Sequence, residues 1–385
     1  MKWLLIALAC LFATSLLDVS TSHGEEGVWW TYIGTYTRRS SEGIYVTRFD
    51  ANSGKFGEVA LAAATADPSF LAIHPSGQRL YAVGETAEFE NQATGFVRGF
   101  NIDAATGKLS PLNSQRSEGV APCHLTLDKT GRTVLVANYG SGTVASIRIN
   151  EDGNLGDVIS THQHSGTSAN PRRQEGPHAH SINLDAANQF AFAADLGVDK
   201  IFAYRFDAAS GRLDSADAPA PVQVAAGSGP RHFAFHPSGK FAYVINELAS
   251  TLIAFTYDAE TGVLHALETH STLPDDYTTP SFTAEVVVHP NGKFVYGSNR
   301  GHDSIAVFRV DSETGHLTRV EIEPTGGRTP RNFAIEPSGR YLLAANQDSD
   351  SVVAFEIDQA TGELKNTGET LAVTMPVCVR FLATQ

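Results

Sequence analysis

One pattern of about fifty residues is written again and again along this chain, and nothing else in the sequence limits the fold so tightly. A representative unit runs Pro230-Arg-His-Phe-Ala-Phe-His-Pro-Ser-Gly239, then Phe241-Ala-Tyr-Val-Ile-Asn246, then Leu252-Ile-Ala-Phe-Thr-Tyr-Asp258, and closes on Glu260-Thr-Gly262-Val-Leu264. The same order starts at Pro68, Pro122, Ala179, Thr283 and Pro330, so that successive units are 54, 57, 51, 53 and 47 residues apart. Three short alternating runs and a closing hairpin per unit describe a four-stranded antiparallel sheet. A tandem array of such sheets at this period predicts the blades of a β-propeller.

The punctuation has physical causes. His-Pro-Ser-Gly and its variants place Pro where φ must be near −65° and Gly where φ must be positive, which turns the first strand into the second. Asp-x-x-x-Gly, as at Asp258 to Gly262 and Asp311 to Gly315, ends the third strand in a hairpin loop. Seven such loops occur, counting the shorter Asn150 to Gly153, but only six complete first strands precede them. The missing one lies at the far end, where Met375-Pro-Val-Cys-Val-Arg-Phe-Leu382 carries the leader pattern 46 residues after Pro330. The first unit, Trp30-Thr-Tyr-Ile-Gly-Thr-Tyr36 with Gly43 to Asp50, lacks its own first strand. We therefore expect an all-β, seven-bladed propeller, residues 23–385 as one domain, closed by pairing N- and C-terminal segments in one blade, which removes two exposed sheet edges.

Residues 1–22 do not share the repeat. Lys2, an apolar run from Leu4 to Leu17 and small polar residues at Ser20 to Ser22 predict a signal peptide and hence export, periplasmic or secreted. The run is short for a bilayer span and no comparable stretch follows, so no membrane role beyond export is expected. A formal charge of −14 would repel a phosphate backbone, which makes nucleic acid a poor partner. Cys123 and Cys378 fall in first strands of blades three and one, on opposite-facing offsets, so no disulfide is expected between them.

In a propeller the first strand of each blade lines the central channel, and equivalent positions form rings. One place after each leader come Ser69, Cys123, His180, Arg231, Ala284, Arg331 and Val377. One place after the second-strand motif come Tyr36, Glu85, Tyr139, Leu196, Glu247, Arg300 and Gln347. A structural ring would be small or apolar throughout, whereas here His180, Arg231, Glu247 and Arg300 gather on blades four to six and form a candidate catalytic pocket. Each has a plainer reading. His180 suits a hydrogen-bonded channel histidine, Arg231 and Arg331 suit ties between blades, Glu247 suits a counter-ion, and Glu285 suits a structural partner. His74, His236 and His289 belong to the turn motif, and Asn138, Asn246, Asn299 and Asn346 to strand ends.

The loop from His162 to His180 explains the longest spacing and should overhang the same mouth. Its Arg172, Arg173 and Gln174, with His178, are candidates for binding an anionic or hydroxyl-rich ligand, against a solvated loop, and Glu285 and Arg331 at the ring join them as substrate-binding candidates beside their structural readings. Its two His-x-His pairs have no acidic ligand beside them, so neither a metal nor any other cofactor is expected. No phosphate-cradling glycine loop, nucleophile elbow or paired-cysteine zinc spacing occurs.

Tyr32-Ile-Gly-Thr-Tyr36 with Gly43-Ile-Tyr45, Gly176-Pro-His-Ala-His-Ser181, Ala194-Asp-Leu-Gly197, Gly229-Pro-Arg-His232, Asn246-Glu247 and Ser298-Asn-Arg-Gly301 together resemble the propeller lactonase family, which includes bacterial 6-phosphogluconolactonase and, more distantly, carboxy-muconate cyclase. The resemblance spans Trp29 to Leu382. It implies a seven-bladed fold, a small-molecule sugar lactone as substrate, and a histidine, two arginines and a glutamate as active residues, carried here by His180, Arg231, Arg300 and Glu247. Either His180 or Glu247 could be the general base. Export departs from the family's cytosolic phosphogluconolactonase and puts the phosphorylated substrate in question. Two other readings stand beside it: an exported propeller that binds a protein or polysaccharide without catalysis, and a metal-dependent lactonase of another propeller family, which the His- and Arg-rich channel suits poorly.

Overall fold

A computed structural model describes residues 26–384, and the segment read as a signal peptide lies outside them. Seven antiparallel sheets are arranged in order around a central channel. From blade two onward the inner strands are Leu71–Ile73, Pro122–Leu127, Ala179–Leu184, Pro230–Phe235, Phe282–Val288 and Pro330–Ile335. Blade one takes its inner strand from the C-terminal segment, Pro376–Ala383, which pairs antiparallel with Val28–Thr35 in the register Trp30↔Leu382 and Tyr32↔Arg380. The ring closes as the repeat count predicts. Two outer strands are interrupted: Lys55–Phe56 and Ala60–Ala64 share the edge of blade one, and Arg212–Asp214 and Val222–Gln223 that of blade four.

The second strands are buried along all or nearly all of their length because both faces meet a neighbouring blade, and they read accordingly as apolar runs such as Phe241–Asn246 and Thr133–Asn138. The core is consequently a series of inter-blade layers. Between blades four and five, for example, Phe192, Phe233, Phe255 and Tyr257 pack together, with the Phe192 and Phe233 rings stacked at 5.5 Å.

The repeated turn residues are latches from blade to blade. His236 Nδ1 lies 2.8 Å from Ser238 Oγ, and its Nε2 donates to the Gly292 carbonyl of the next blade at 2.7 Å. His74 reaches Gly131 O (3.0 Å) and His289 reaches Gly339 O (2.8 Å) in the same way. The asparagines at strand ends are also structural: Asn138 Nδ2 donates to Ser117 O and Asn299 Nδ2 to Thr272 O, each at the end of the preceding blade.

The hairpin glycine is required twice over. Gly315 holds φ at +78°, and a Cβ there would come within 2.4 Å of Phe241 Cδ1 on the preceding blade. Gly362 against Phe294 and Gly262 against Phe190 repeat the contact. Gly315→Ala should combine left-handed backbone strain with overpacking and lose about 2–4 kcal/mol of stability. Urea unfolding would register this as a lower midpoint with unchanged activity per folded molecule; a neutral substitution would mean that blades five and six can separate at no cost.

Candidate active site

The side chains singled out at the first ring owe their position to a defect repeated in the sheets. In every inner strand from blade three round to blade one the pairing slips by one residue just past the leader. Pro230 pairs with Asn246 but His232 already with Ile245, leaving Arg231 unpaired; His180, Cys123, Arg331 and Val377 are left over in the same way. A one-residue bulge turns the extra side chain out of the regular alternation. Two consecutive residues of each strand therefore face the channel, one at the upper mouth and one just beneath.

Glu247 is the centre of the upper ring. Its Oε1 accepts from Arg173 Nη2 at 2.6 Å, and its Oε2 from Arg231 Nε at 3.0 Å and lies 2.9 Å from Arg300 Nη2. His180 Nε2 stands 4.0 Å from the same Oε2 without a hydrogen bond. Glu247, His180 and Arg231 are 4%, 4% and 2% exposed, so these charges interact at low effective dielectric. Burial alone would push the Glu247 carboxyl up, but Arg300, Arg231 and Arg173 outweigh it and hold the group well below the usual carboxylate range. Arg231 is pushed down to about 10 by burial, then by Arg300 and Arg331, and remains a cation at neutral pH.

The arginines are also anchored through the backbone, Arg231 Nη1 to Ala284 O (2.6 Å) and Arg300 Nη2 to Thr283 O (2.9 Å), while Arg300 Nε is buried with no acceptor. His180 Nδ1 rests 3.5 Å from the Cys123 thiol, which also approaches the His180 carbonyl at 3.4 Å. Burial keeps that thiol protonated. Burial first, then Arg231, His232 and Arg331, hold the His180 imidazole neutral, well below the ordinary histidine range.

The opposite rim carries a second set. Tyr36 donates its hydroxyl to both oxygens of Glu85 (3.0 and 2.9 Å), and the guanidinium of Arg331 lies 5.3 Å from the Tyr36 ring centre. Burial disfavours the Arg331 charge, but Tyr36, Glu85 and Glu247 together hold it charged, and it makes no hydrogen bond among the described residues. Four arginines, Arg173, Arg231, Arg300 and Arg331, thus face two carboxylates, Glu247 and Glu85. The mouth is a positive site on an acidic protein.

The loop candidates separate. Arg173 belongs to the cluster directly and also donates to Tyr139 OH at 3.2 Å. His178 stacks on Tyr139 at 4.5 Å and faces its carbonyl, forming one wall. Gln174 is fully buried and serves the loop itself, donating to Leu196 O and accepting from Asn170 N. Arg172 is exposed at the rim and makes no side-chain bond among the described residues. His162 goes to Leu213 O, and His164 is sandwiched between Asp195 Oδ2 (2.6 Å) and Tyr204 OH (2.7 Å) beneath the loop.

Glu285 is not brought to the mouth. It lies in the second ring, where its carboxylate takes His232 Nδ1 (2.7 Å), Val286 N and Asn332 Nδ2, and Asn332 Oδ1 in turn accepts from Val379 N (2.8 Å). That belt of bonds joins blades five, six, seven and one. Among the described residues no three His, Cys, Asp or Glu side chains are placed to hold a metal ion. Four contributors had not been singled out as candidates from the sequence: Tyr36, Glu85 and Tyr139, which were ring positions only, and the buried Asp195, whose Oδ1 accepts from His178 N and Gly197 N and so sets the loop's entry to the site.

Residues 30–381 match the family model for lactonases with a seven-bladed β-propeller. A 6-phosphogluconolactonase of Bacillus subtilis strain 168 is 38% identical over 351 residues, 91% of this chain and 97% of that protein. A 6-phosphogluconolactonase of Formosa agariphila is 34% identical over 79% of this chain and 85% of its own length. Among solved structures, the periplasmic gluconolactonase of Pseudomonas aeruginosa superposes with a TM-score of 0.88 at 34% identity, covering 93% of this chain and all of that one.

The channel histidines generate a pH prediction. His124, His180 and His232 are each held below the ordinary histidine value, chiefly by burial. An unfolded histidine binds its proton near pH ~6.5, so below that value the unfolded chain takes up protons that the folded ring refuses. Stability should be fully present above pH ~6.5 and fall as the pH drops, by up to about 1.4 kcal/mol per pH unit each for His124 and His180, which are held well below that value, and by less for His232. Urea midpoints from pH 7.5 to 5 at constant ionic strength test this; a flat profile would mean that the imidazoles titrate in the folded protein as they do in the unfolded chain.

Proposed function

This chain belongs to the seven-bladed β-propeller lactonase family, and we propose that it hydrolyses an aldono-1,5-lactone at the upper mouth without a metal ion, His180 acting as general base. The observation that carries the reading is Glu247 bound by three guanidinium groups with a neutral imidazole nitrogen 4.0 Å away. A carboxylate whose lone pairs are taken by arginines is a poor base. The imidazole is unprotonated at neutral pH and its Nε2 makes no hydrogen bond among the described residues, so it is the group free to accept a proton.

In this scheme Nε2 takes a proton from water as the water oxygen bonds to the lactone carbonyl carbon. The carbonyl electrons move to oxygen, and the resulting oxyanion is met by Arg231 and Arg300, which are already oriented and need no rearrangement. The ester C–O bond then breaks, and the ring oxygen leaves as the sugar hydroxyl with the proton from the imidazolium. Glu247 is a positioning residue: it fixes three arginines and stabilises the transient imidazolium. Arg331 faces the mouth from the opposite rim and is assigned to an anionic substituent of the substrate where there is one. We read residues 1–22 as an export signal, which favours an unphosphorylated aldonolactone as the natural substrate.

Purified protein should accelerate opening of glucono-1,5-lactone or its 6-phosphate, and EDTA should leave the rate unchanged. His180→Ala and Arg231→Ala should each lower kcat by roughly 10²–10³, with the fold retained by circular dichroism. Full activity in both variants would refute the site assignment, and no turnover above the spontaneous rate with either lactone would refute the reaction. Arg331→Gln should raise KM for the phosphorylated lactone at least tenfold, roughly 1.4 kcal/mol, and barely alter it for the neutral one. Equal effects on the two would remove Arg331 from substrate recognition.

A further inference from the structure

The bulged residues of the inner strands of blades three and four are Cys123 and His180, and the ring sets them side by side. The thiol sulfur lies 3.5 Å from His180 Nδ1 and is the one side-chain hydrogen-bond partner of that imidazole among the described residues. Tyr139 and His232 meet the imidazole edge to face, with ring centres 5.3 and 5.4 Å away, and Glu247 Oε2 stands 4.0 Å from Nε2. The proposed reaction uses Nε2 and leaves the thiol unused.

A cysteine beside a histidine first suggests a nucleophile, a thiolate paired with an imidazolium. The surroundings oppose that. Cys123 is 6% exposed, and burial first, then the charge of Glu85, push its thiol up against the opposing pull of Arg231 and Arg331. The imidazole is held neutral as well. The S–H then has the His180 carbonyl as its nearest acceptor, at 3.4 Å, with Ala179 O at 3.7 Å and Ala137 O at 3.9 Å. With its proton directed at a carbonyl, the sulfur offers Nδ1 only lone pairs.

A neutral imidazole has one N–H and one lone pair, and the group facing one nitrogen decides the role of the other. Two neighbours compete for the proton here. On Nε2 it would face Glu247 Oε2, but that oxygen is 4.0 Å away and already holds two guanidinium groups. On Nδ1 it meets sulfur at hydrogen-bond distance. We propose that Cys123 is a positioning residue: its sulfur accepts a hydrogen bond from His180 Nδ1–H, fixes that tautomer and leaves the Nε2 lone pair free at the mouth. A carboxylate in this place would orient the ring equally well, but as an anion it would also raise the proton affinity of the imidazole; a neutral thiol orients it without that effect. The consequence for turnover rests on His180 being the general base, whereas the tautomer itself does not.

Proton–nitrogen correlation NMR on the intact protein carrying isotope-labelled histidine reads the tautomer directly, with His180→Gln identifying the signals. Nδ1 should carry the proton in the wild type. Cys123→Val, close in size but without a lone pair, should move the proton in part to Nε2 and lower kcat about tenfold, with KM kept within about twofold. Cys123→Ser, whose hydroxyl both donates and accepts, should return the tautomer and most of the rate. Cys123→Ala carries the same expectation as the valine variant and replaces it should valine prevent folding. A proton on Nε2 in the wild type would overturn the proposal, and so would one that stays on Nδ1 in Cys123→Val and Cys123→Ala, which would pass the role to the backbone carbonyl of His180. Equal losses of kcat in the serine and valine variants would reduce Cys123 to packing. A wild type with Nδ1–H and no lactone turnover would sink the base assignment instead and leave the thiol's hold on the tautomer standing.

Discussion

Closure of the ring is the constraint on which everything else in this molecule depends. Seven twisted sheets packed face to face must return to their starting point, and the pairing of Val28–Thr35 with Pro376–Ala383 is where the chain makes that happen. An open array would expose two sheet edges and two apolar faces. Closed, it forces seven inner strands to point at one axis, so residues far apart in sequence share a channel only a few side chains wide. The bulge just past each leader then decides which of them reach the mouth. Burial, convergence and charge follow from that geometry rather than from local sequence.

Convergence alone would bring like charges together at ruinous cost. Arg231 is buried and Arg300 largely so; Arg300 lowers Arg231's tendency to hold its proton, and Arg331 lowers that of both. One carboxylate resolves this: Glu247 bonds to Arg231, Arg300 and Arg173 and, among the described residues, is the one side chain that all three share. Breaking a buried network of this kind by removing its anion would leave three cations with no neutralising partner, which is far more costly than losing any one hydrogen bond. Two of the arginines are additionally tied to the carbonyls of Ala284 and Thr283 on blade six. Their positions are thereby set by the inner strand of blade six, and donors fixed in this way can meet developing charge without reorganising.

The fold was legible in the sequence because its signal is periodic: the turn and hairpin residues recur at fixed offsets, and the missing first strand of blade one could be matched to Met375–Leu382. The quartet was legible for the same reason, since ring positions are repeat positions. What lay outside the repeat was harder to place. Arg172, Arg173 and Gln174 are adjacent in one loop, yet one faces solvent, one binds Glu247 and one is wholly buried; nothing periodic distinguishes them. His164 stands two residues from His162, yet one is held between Asp195 and Tyr204 and the other reaches the Leu213 carbonyl. Glu285 stands next to the ring in sequence and one layer below it in space, because the bulge on blade six falls between Thr283 and Val286. A one-residue slip in pairing is invisible in composition and decisive for direction.

The two candidate bases seen in the sequence are separated by electrostatics rather than by distance. The field of the arginines acts on both in the same direction, lowering proton affinity, but with opposite chemical consequence. In Glu247 it secures an anion that is already bound on every side; in His180 it secures a neutral ring with an unused nitrogen. A base so weakened accepts a proton reluctantly, and the same positive field that weakens it lowers the energy of an adjacent hydroxide and oxyanion. In the proposed reaction the arrangement would place its leverage on stabilising negative charge and little of it on base strength. That balance suits an activated cyclic ester, whose carbonyl needs only modest assistance, and would serve an amide poorly, where attack on a far less electrophilic carbonyl demands a stronger base.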